Sequence, residues 1–162
     1  DGNKGIIFDG RVAEDFKLLS GTWVAVGSLR VEILAAASPL LQDAVVTGLD
    51  RNEIGLLAWP NLQACRDVAG LGEDATPDEI VAHAKVREHV RQSLVSHNAD
   101  AGGSSRRIAR LILMTTPASI DANEITDKGY INQRATLENR ADLVEALYSE
   151  KPGPEVLIVA AR

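Results

Sequence analysis

The amino-acid sequence predicts a small α+β domain, in which an N-terminal β-hairpin and a small mixed or antiparallel sheet are flanked by helices. Three observations support this fold class. Two apolar runs at residues 43–48 and 54–60 are separated by turn residues and predict paired strands. The segment "TPDE" at residues 76–79 has the Thr, Pro and Glu with which a helix begins. The 162 residues, 45% of them apolar and 25% charged, fit one domain with one core.

The predicted strands are short apolar or alternating runs bounded by turn residues. They lie at residues 5–8, 15–18, 22–26, 43–48, 54–60 and 108–115. Ser20 and Gly21 supply the turn between the second and third of these strands, which therefore form the antiparallel hairpin. The tail at residues 151–162 holds two prolines and a short apolar run, so both an edge strand and a disordered end remain open.

The predicted helices carry apolar residues at helical spacing and have recognisable boundary residues. They lie at residues 29–37, 61–69, 76 to about 95, and 132–147. Pro39 ends the first helix and Gly70 closes the second. The three histidines, His83, His89 and His97, are spaced by six and eight residues, which gives no i, i+4 pair for a metal ion. We interpret them as solvated or structural and predict no metal site.

Charge and cysteine content exclude several classes of function. The chain has 17 Lys and Arg against 23 Asp and Glu, and its net charge of −6 opposes binding to nucleic acid or to anionic lipid. A phosphate-bearing ligand must therefore be held by a local group of cations. The single cysteine, Cys65, cannot form an internal disulfide and is predicted to be a buried apolar side chain. Because no run approaches about 18 apolar residues and residues 1–15 lack a signal-peptide pattern, we predict a cytoplasmic protein without a membrane partner.

Three cationic segments are candidate sites, and each has an ordinary structural alternative. Arg11 in "FDGRVAEDFKL" follows a predicted strand, where its guanidinium can reach a phosphate or ribose or can pair with a nearby carboxylate. Arg106 and Arg107 end "AGGSSRR", which is either a solvated loop or a contact for a nucleotide phosphate. The order helix, loop, strand excludes a P-loop there. Lys128 in "TDKG" is either a turn residue or a movable cation that neutralises charge on a transferring phosphoryl group.

Two separated stretches of the chain resemble one family. "FDGRVAEDFKLLSGTWVAVGSLR" and "EITDKGYINQRATL" resemble the C-terminal domain of adenylate-forming acyl- and aryl-CoA ligases, with wording closest to feruloyl-CoA synthetases. The similarity covers residues 5–150. It implies that residues 1–162 form the C-terminal lid of an ATP-dependent, AMP-forming carboxylate–CoA ligase, with residues 1–13 as the hinge region and residues 151–162 as the tail.

The resemblance also implies roles for individual residues. Lys128 would be the catalytic lysine, which contacts the substrate carboxylate and the α-phosphate during adenylation. Arg11 would contact the ribose and phosphate of the adenylate, and the hinge position falls at Ala13, where the family usually has an acidic residue or a lysine. Gly21 would lie near the pantetheine tunnel during thioester formation. Asp127 stands beside the lysine where the family usually has a glycine.

The implied reaction uses ATP and CoA as substrates. A carboxylic acid would be activated by ATP to an acyl-adenylate, and the acyl group would then pass to the CoA thiol, with Arg106 and Arg107 as further contacts to CoA. Mg²⁺ and ATP would be bound mainly by an N-terminal adenylation domain of the same polypeptide. We therefore expect a fragment that is inactive by itself. The alternative is a non-catalytic α+β interaction module in which Lys128 and Arg11 are solvated surface residues.

Overall fold

The computed structural model describes residues 14–159 of the chain. Within that range the fold is α+β, with a two-stranded antiparallel sheet, a four-stranded mixed sheet and six helices, which confirms the predicted fold class. The predicted strand at residues 5–8, the hinge residues Arg11 and Ala13, and the last three residues of the tail lie outside the described residues.

The N-terminal hairpin consists of β1 (Phe16–Lys17) and β2 (Trp23–Val24), paired antiparallel as predicted. The strands are only two residues long because the turn between them begins early. The Gly21 N–H donates to the carbonyl of Leu18 at 2.8 Å. Gly21 has a φ of 87°, a left-handed conformation that glycine adopts without steric strain.

The main sheet has the strand order β3 (Leu41–Thr47), β4 (Ile54–Pro60), β5 (Ile108–Leu113) and β6 (Val156–Ile158). The central pair, β4 and β5, is parallel, and the two outer pairs are antiparallel. β4 is buried along its whole length, which explains its continuous apolar sequence. The short apolar run in the tail forms β6, so the edge-strand interpretation of that run is correct.

Helices cover both faces of the main sheet. They are α1 (Val26–Ala36), α2 (Leu62–Ala69), α3 (Pro77–Ala82), α4 (Ala84–Ala101), α5 (Gln133–Asn139) and α6 (Ala141–Leu147). Successive strand residues point to opposite faces, so each face has its own apolar cluster. The first four helices pack on one face, against side chains such as Leu56 and Leu111. The last two pack on the other, against side chains such as Leu57 and Ile112.

Two predicted helices are each broken into two. The helix expected to run from "TPDE" to about residue 95 stops at His83, and a second helix continues to Ala101. His83 has an extended ψ of 132°, and its Nδ1 accepts the Lys85 N–H at 3.1 Å, so it caps the second helix. The helix expected over residues 132–147 breaks at Arg140, whose φ of −111° and ψ of 33° are not helical. Its guanidinium donates to the carboxylate of Glu124.

Side chains satisfy the outward backbone groups of β3, which is an outer strand of the main sheet. Gln133 in α5 accepts the Val46 N–H at 2.9 Å and donates to the Val46 carbonyl at 3.1 Å. The Asp43 carboxylate accepts the Ala44 N–H at 2.8 Å, and Arg30 Nε donates to the Ala44 carbonyl at 3.0 Å. Helix α5 is therefore held along β3 by side-chain hydrogen bonds that resemble those of a neighbouring strand.

Candidate functional site

Lys128 lies at the tip of a short exposed loop between β5 and α5. The Thr126 N–H donates to the Tyr130 carbonyl at 2.8 Å, and the Gly129 N–H donates to the Thr126 carbonyl at 2.9 Å. Gly129 has a φ of 85°, so the turn requires a residue that tolerates the left-handed region. These bonds give the tip a defined turn, as the sequence "DKG" predicts.

The Lys128 ammonium has no hydrogen-bond or ion-pair partner among the described residues, and the side chain is exposed. Asp127 is its neighbour in the chain, yet the two side chains form no ion pair. A carboxylate beside a lysine is the obvious way to hold the cation on its own surface, and the loop does not use it. The charge is therefore available to a group that lies beyond residues 14–159.

The base of this loop is fixed at both ends. Ile125 and Ile131 pair across it as an antiparallel β-bridge. One step further in, the Asn132 N–H donates to the Glu124 carbonyl at 2.8 Å. The Asn132 side chain also accepts the Ala135 N–H at 3.2 Å and so caps α5. The loop thus leaves the domain and returns to it at one place, directly before a helix.

A buried ion pair lies under the loop. Arg140 donates to the two carboxylate oxygens of Glu124 at 2.9 and 3.0 Å, with only 11% and 3% of the two side chains exposed. The Trp59 ring lies against the guanidinium, with its centroid 5.3 Å away. The hydrogen bond from Arg140 lowers the pKa of the Glu124 carboxyl, so the pair is charged in the folded domain.

The residues next to the predicted hinge belong to the body of the domain. Asp15 accepts the Val26 N–H at 2.9 Å, and α1 therefore begins at Val26, earlier than predicted. Arg30 donates to Glu14 at 3.3 Å and to Gln133 at 2.9 Å. The start of the described chain and the helix that follows the Lys128 loop are thus joined through one guanidinium.

Gly21 lies at the exposed turn of the N-terminal hairpin. Apart from its two chain neighbours, no residue in the described part of the chain has a heavy atom within 4 Å of the place where a Cβ would stand, so there is space beside the Gly21 backbone. The neighbouring Leu19 N–H donates to the Arg51 carbonyl at 2.9 Å, which places the hairpin turn beside the turn that precedes β4.

The two arginines of "AGGSSRR" differ in their surroundings. The Arg106 guanidinium forms an ion pair with Glu32 of α1 and lines an open groove of about 510 Å³ between α1 and α4. The groove is also lined by Asp100, so two carboxylates share it with the cation. Arg107 is exposed and has no ion pair with a described residue. Of the two, Arg107 is the freer to meet a phosphate.

The structure does not gather the predicted site residues into one cluster. The base of the Lys128 loop is bonded, through Arg140, to the segment that follows the carboxyl end of β5 and lies against Trp59 near the carboxyl end of β4. Arg106 and Arg107 directly precede β5, and the Gly21 turn contacts the segment that precedes β4. The two groups are therefore anchored at opposite ends of this parallel pair of strands.

Comparison with known protein families matches residues 18–152 to the AMP-binding enzyme C-terminal domain. The chain belongs to this family. The match includes the hairpin turn, the Lys128 loop and the buried ion pair. It confirms the part of the resemblance that assigns the chain to the C-terminal domain of an adenylate-forming enzyme. The likeness to feruloyl-CoA synthetases in particular stays a prediction, as do the site residues.

Two solved structures from Segniliparus rugosus share the fold of this AMP-binding enzyme C-terminal domain. The A-PCP didomain of carboxylic acid reductase in complex with AMP is 23% identical, with a TM-score of 0.61 over 83% of this chain and 17% of that chain. The A domain of carboxylic acid reductase in complex with AMP and a co-purified carboxylic acid is 22% identical, with a TM-score of 0.63 over 85% of this chain and 20% of that chain. The domain thus spans at most a fifth of either chain. No curated protein matches.

Residues 14–159 contain neither a metal site nor a membrane span. No group of three or more His, Cys, Asp and Glu side chains there is arranged to hold a metal ion. The helices of that range are too short or too polar to cross a bilayer. Two of the three histidines have structural contacts, since His83 caps α4 and His97 Nε2 lies 2.7 Å from the Arg106 carbonyl.

The residues that support the Lys128 loop could not be identified from the sequence. Glu124 and Arg140 are 16 residues apart, and no local pattern pairs them. The sequence around Gln133 is typical of the first turn of a helix, and the sequence around Arg30 is typical of the surface of a helix. Neither indicates a contact with another element. The one available hint is that Glu124 opens the stretch "EITDKGYINQRATL", on which the family resemblance rests.

Proposed function

We propose that this domain is the mobile C-terminal lid of an ATP-dependent, AMP-forming carboxylate–CoA ligase similar to feruloyl-CoA synthetases, with Lys128 as its catalytic lysine. Membership in the AMP-binding enzyme C-terminal domain family supports the adenylate chemistry. The observation that carries the role of Lys128 is an exposed ammonium without a partner among the described residues, on a loop with a fixed base. Such a charge is free to act on a nucleotide bound by another domain.

Lys128 acts in the first half-reaction. A carboxylate oxygen of the acid forms a bond to the α-phosphorus of ATP, and the bond from that phosphorus to pyrophosphate breaks. Negative charge accumulates around the α-phosphate as this exchange proceeds. A positioned cation in a site with little water stabilises such charge by about 3 kcal/mol.

The second half-reaction uses another face of the same domain. The thiol of CoA attacks the acyl carbonyl carbon, and AMP leaves with the electron pair of the broken bond. The lid turns about the hinge near Ala13, which withdraws Lys128 and brings the Gly21 turn to the acyl-adenylate. Open space beside the Gly21 backbone leaves room for a pantetheine chain, and Arg106 and Arg107 supply cations for the CoA phosphates.

An N-terminal adenylation domain of the same polypeptide completes the site. It holds ATP with Mg²⁺ and the carboxylic acid, while Arg11 contacts the ribose and phosphate of the adenylate. The isolated lid is therefore expected to form no product from ATP, CoA and an acid.

The decisive experiment separates the two half-reactions in the polypeptide that carries this domain. In Lys128→Ala, adenylation measured by pyrophosphate release should fall by about 10² to 10³, because a transition-state cation is lost. Transfer to CoA from a supplied acyl-adenylate should change by less than about threefold, because Lys128 has by then withdrawn. Lys85→Ala removes the same charge from an exposed site on α4 and serves as the matched control. Equal losses in both half-reactions would exclude the proposed role.

The acyl acceptor has a second candidate, because one of the matched structures joins an A domain to a PCP domain. Mass spectrometry of products from a panel of acids, with CoA and with a PCP domain as alternative acceptors, distinguishes the two. Acyl-CoA as the product supports the ligase. Acyl transfer to the PCP domain alone would replace it with a carrier-dependent enzyme, and absence of any adenylate would favour a non-catalytic interaction module.

A further inference from the structure

Arg140 uses every donor of its guanidinium. It donates to Glu124 through Nε at 3.0 Å and through Nη2 at 2.9 Å. The other N–H groups reach the Thr116 carbonyl at 2.9 Å, the Pro117 carbonyl at 2.9 Å and the Met114 sulfur at 3.3 Å. A guanidinium has five N–H donors in a rigid plane, and here each has an acceptor. The side chain therefore has one orientation, fixed by the segment that leads from β5 to the Lys128 loop.

Glu124 is held as completely as its partner. Its carboxylate accepts the Ser119 N–H at 2.9 Å, and its own N–H donates to the Ser119 carbonyl at 2.9 Å. Asn139 at the end of α5 donates to the Ala122 carbonyl at 2.9 Å and to Glu124 at 3.4 Å. The residue that begins the Lys128 loop is thus bonded to the far end of the helix that follows the loop.

These bonds close a ring. The chain runs from Glu124 through the Lys128 loop to Asn132, along α5 to Arg140, and the ion pair returns it to Glu124. Trp59 connects the ring to the main sheet, because its Nε1–H donates to the same Thr116 carbonyl at 3.0 Å. Of the described residues, Lys128 itself has no hydrogen-bond or ion-pair partner for its side chain. The direction in which the ammonium points therefore depends on the loop backbone and on the bonds at the base of the loop.

We propose that Glu124 and Arg140 are positioning residues for Lys128, which hold the loop base so that the ammonium reaches the nucleotide in one orientation. This inference rests on the proposed role of Lys128 in adenylation. Displacement of a catalytic group by about 1 Å can reduce a rate by about 10²-fold, so an exposed lysine without a side-chain partner of its own requires a rigid loop base. A buried ion pair is a poor source of stability compared with apolar packing, whereas a guanidinium with five bonds is a strong geometric constraint.

The kinetic test uses Arg140→Lys and Glu124→Gln in the polypeptide that carries this domain. Lysine keeps the charge but has three donors and no planar fork, and glutamine keeps the shape without the charge. Both variants should lower kcat for adenylation about tenfold and leave KM for ATP within about twofold, because the nucleotide is still bound but the cation is misplaced. Transfer to CoA from a supplied acyl-adenylate should be unchanged.

Arg134→Lys is the matched control, since Arg134 is on α5, is 89% exposed and, among residues 14–159, pairs only with Glu138, at 3.5 Å. It makes the same exchange of side chains in the same helix and should leave both half-reactions unchanged. Asn139→Ala is a milder test variant, because it removes the hydrogen bonds to Ala122 and Glu124 and leaves the ion pair between Glu124 and Arg140 in place. It should lower adenylation in the same selective way, by about threefold.

A second readout does not depend on catalysis. Hydrogen exchange measured by mass spectrometry should be about tenfold faster for the peptide covering residues 125–131 in Arg140→Lys than in the unmodified protein. The amides of Thr126 and Gly129, which are bonded within the loop, report on this change. Arg134→Lys should leave exchange of the same peptide unchanged.

The outcomes separate this inference from the proposed function. Loss of adenylation in Lys128→Ala, together with normal adenylation in Arg140→Lys and Asn139→Ala, would overturn the positioning role alone. Parallel loss of both half-reactions and of folded protein in Arg140→Lys, with Asn139→Ala unchanged in rate and exchange, would overturn it as well. Normal adenylation in Lys128→Ala would instead refute the proposed function, and the exchange measurement would still decide whether the pair fixes the loop.

Discussion

Glu124 keeps its negative charge although only 3% of its side chain is exposed. Burial by itself raises the pKa of a carboxyl group, because the charged form loses its hydration. Here the hydrogen bond from Arg140 is the largest influence on the pKa, and the Ser119 N–H adds to it, so the pKa is lowered. Ionised Glu124 is therefore more favourable in the folded domain than in the unfolded chain.

Acidification should weaken the domain through this carboxylate. The folded pKa lies below the ordinary value of 4.5, so the stabilisation is complete above about pH 4.5 and is lost as the pH falls through the folded pKa. Glu124→Gln lacks this component, and its free energy of unfolding should fall less than that of the unmodified domain between about pH 6 and pH 3. Urea unfolding at a series of pH values measures the difference.

The control for this pH series is Glu138→Gln, which alters an exposed carboxylate on α5. It should follow the unmodified domain at every pH. An equal decline in stability for Glu124→Gln and the unmodified domain would show that Glu124 does not titrate with a lowered pKa.

The burial of Cys65 could be predicted from the sequence and the burial of Glu124 could not, for a physical reason. Cys65 is fully buried as predicted, and burial raises the pKa of its thiol to about 11. Its burial follows from a general tendency of the residue type and needs no partner. Glu124 belongs to a residue type that is usually exposed, and only a three-dimensional contact with Arg140 makes its burial favourable. The contact between Gln133 and Val46 could not be predicted for the same reason, because it joins residues that are far apart in the chain.

At the scale of elements, the start of α3 is the helix boundary that the sequence predicts most clearly. Thr76 accepts the Glu79 N–H at 3.2 Å, and the Glu79 side chain accepts the Thr76 N–H at 2.8 Å. Pro77 occupies the first helical position, where its missing N–H has no cost. The capping box predicted from "TPDE" is therefore confirmed.

Removal of this cap should destabilise the domain measurably. Thr76→Ala leaves the Glu79 N–H without its acceptor and should lower the free energy of unfolding by about 1 kcal/mol. Thr76→Ser keeps a hydroxyl at the same place and should remain within about 0.3 kcal/mol of the unmodified domain. Thermal or urea unfolding measures both variants, and equal stability of the two would mean that the cap contributes nothing.

Helix ends that depend on a local effect of one residue could be predicted from the sequence. Asn61, Gly70 and Thr76 stand at helix ends that were predicted, because their effect on the backbone is local. The breaks at His83 and Arg140 were not predicted, because neither residue is a helix breaker. At His83 the chain turns out of the helix, and the side chain caps the next helix through a local contact with the Lys85 N–H. At Arg140 the break accompanies the tertiary contact with Glu124, which is 16 residues away in the chain. In both places a specific contact overrides helix propensity.

At the scale of the whole molecule, the first described residues are bonded to the body of the domain. Glu14 and Asp15 are bonded to α1 through Arg30 and the Val26 N–H. We therefore expect any pivot to lie before Glu14, in agreement with the hinge position implied at Ala13. A rotation there carries the Lys128 loop and the Gly21 turn together, so withdrawal of one accompanies approach of the other.

Arg107, which has no ion pair with a described residue, should matter only in the transfer to CoA. Arg107→Ala is expected to raise KM for CoA about threefold, because an exposed cation contributes up to about 1 kcal/mol to a phosphate contact. Adenylation should be unchanged, and the two half-reactions assayed separately provide the measurement. Arg91→Ala is the matched control, since Arg91 is exposed on α4 and paired with Glu88. A change in adenylation, or an equal effect of Arg91→Ala, would contradict the assignment.

The family could be predicted from sequence because its two stretches occur in the right order, and the match over residues 18–152 confirms it. The distance between Arg107 and the ion pair of Glu124 with Arg140, which holds the base of the Lys128 loop, could not be predicted from sequence. It depends on the parallel pairing of β4 and β5, which are separated by three helices in the chain. Only that pairing determines which loops share an end of the sheet.

The side chains that line β3 have a consequence for solubility. An outer strand with unpaired N–H and carbonyl groups is a template on which a second molecule can add a strand and begin to aggregate. At Ala44 and Val46 those groups are already bonded to Asp43, Arg30 and Gln133. In the proposed rotation of the lid, this edge would meet water at each turnover, and its bonded groups would give a strand of a second molecule little to pair with.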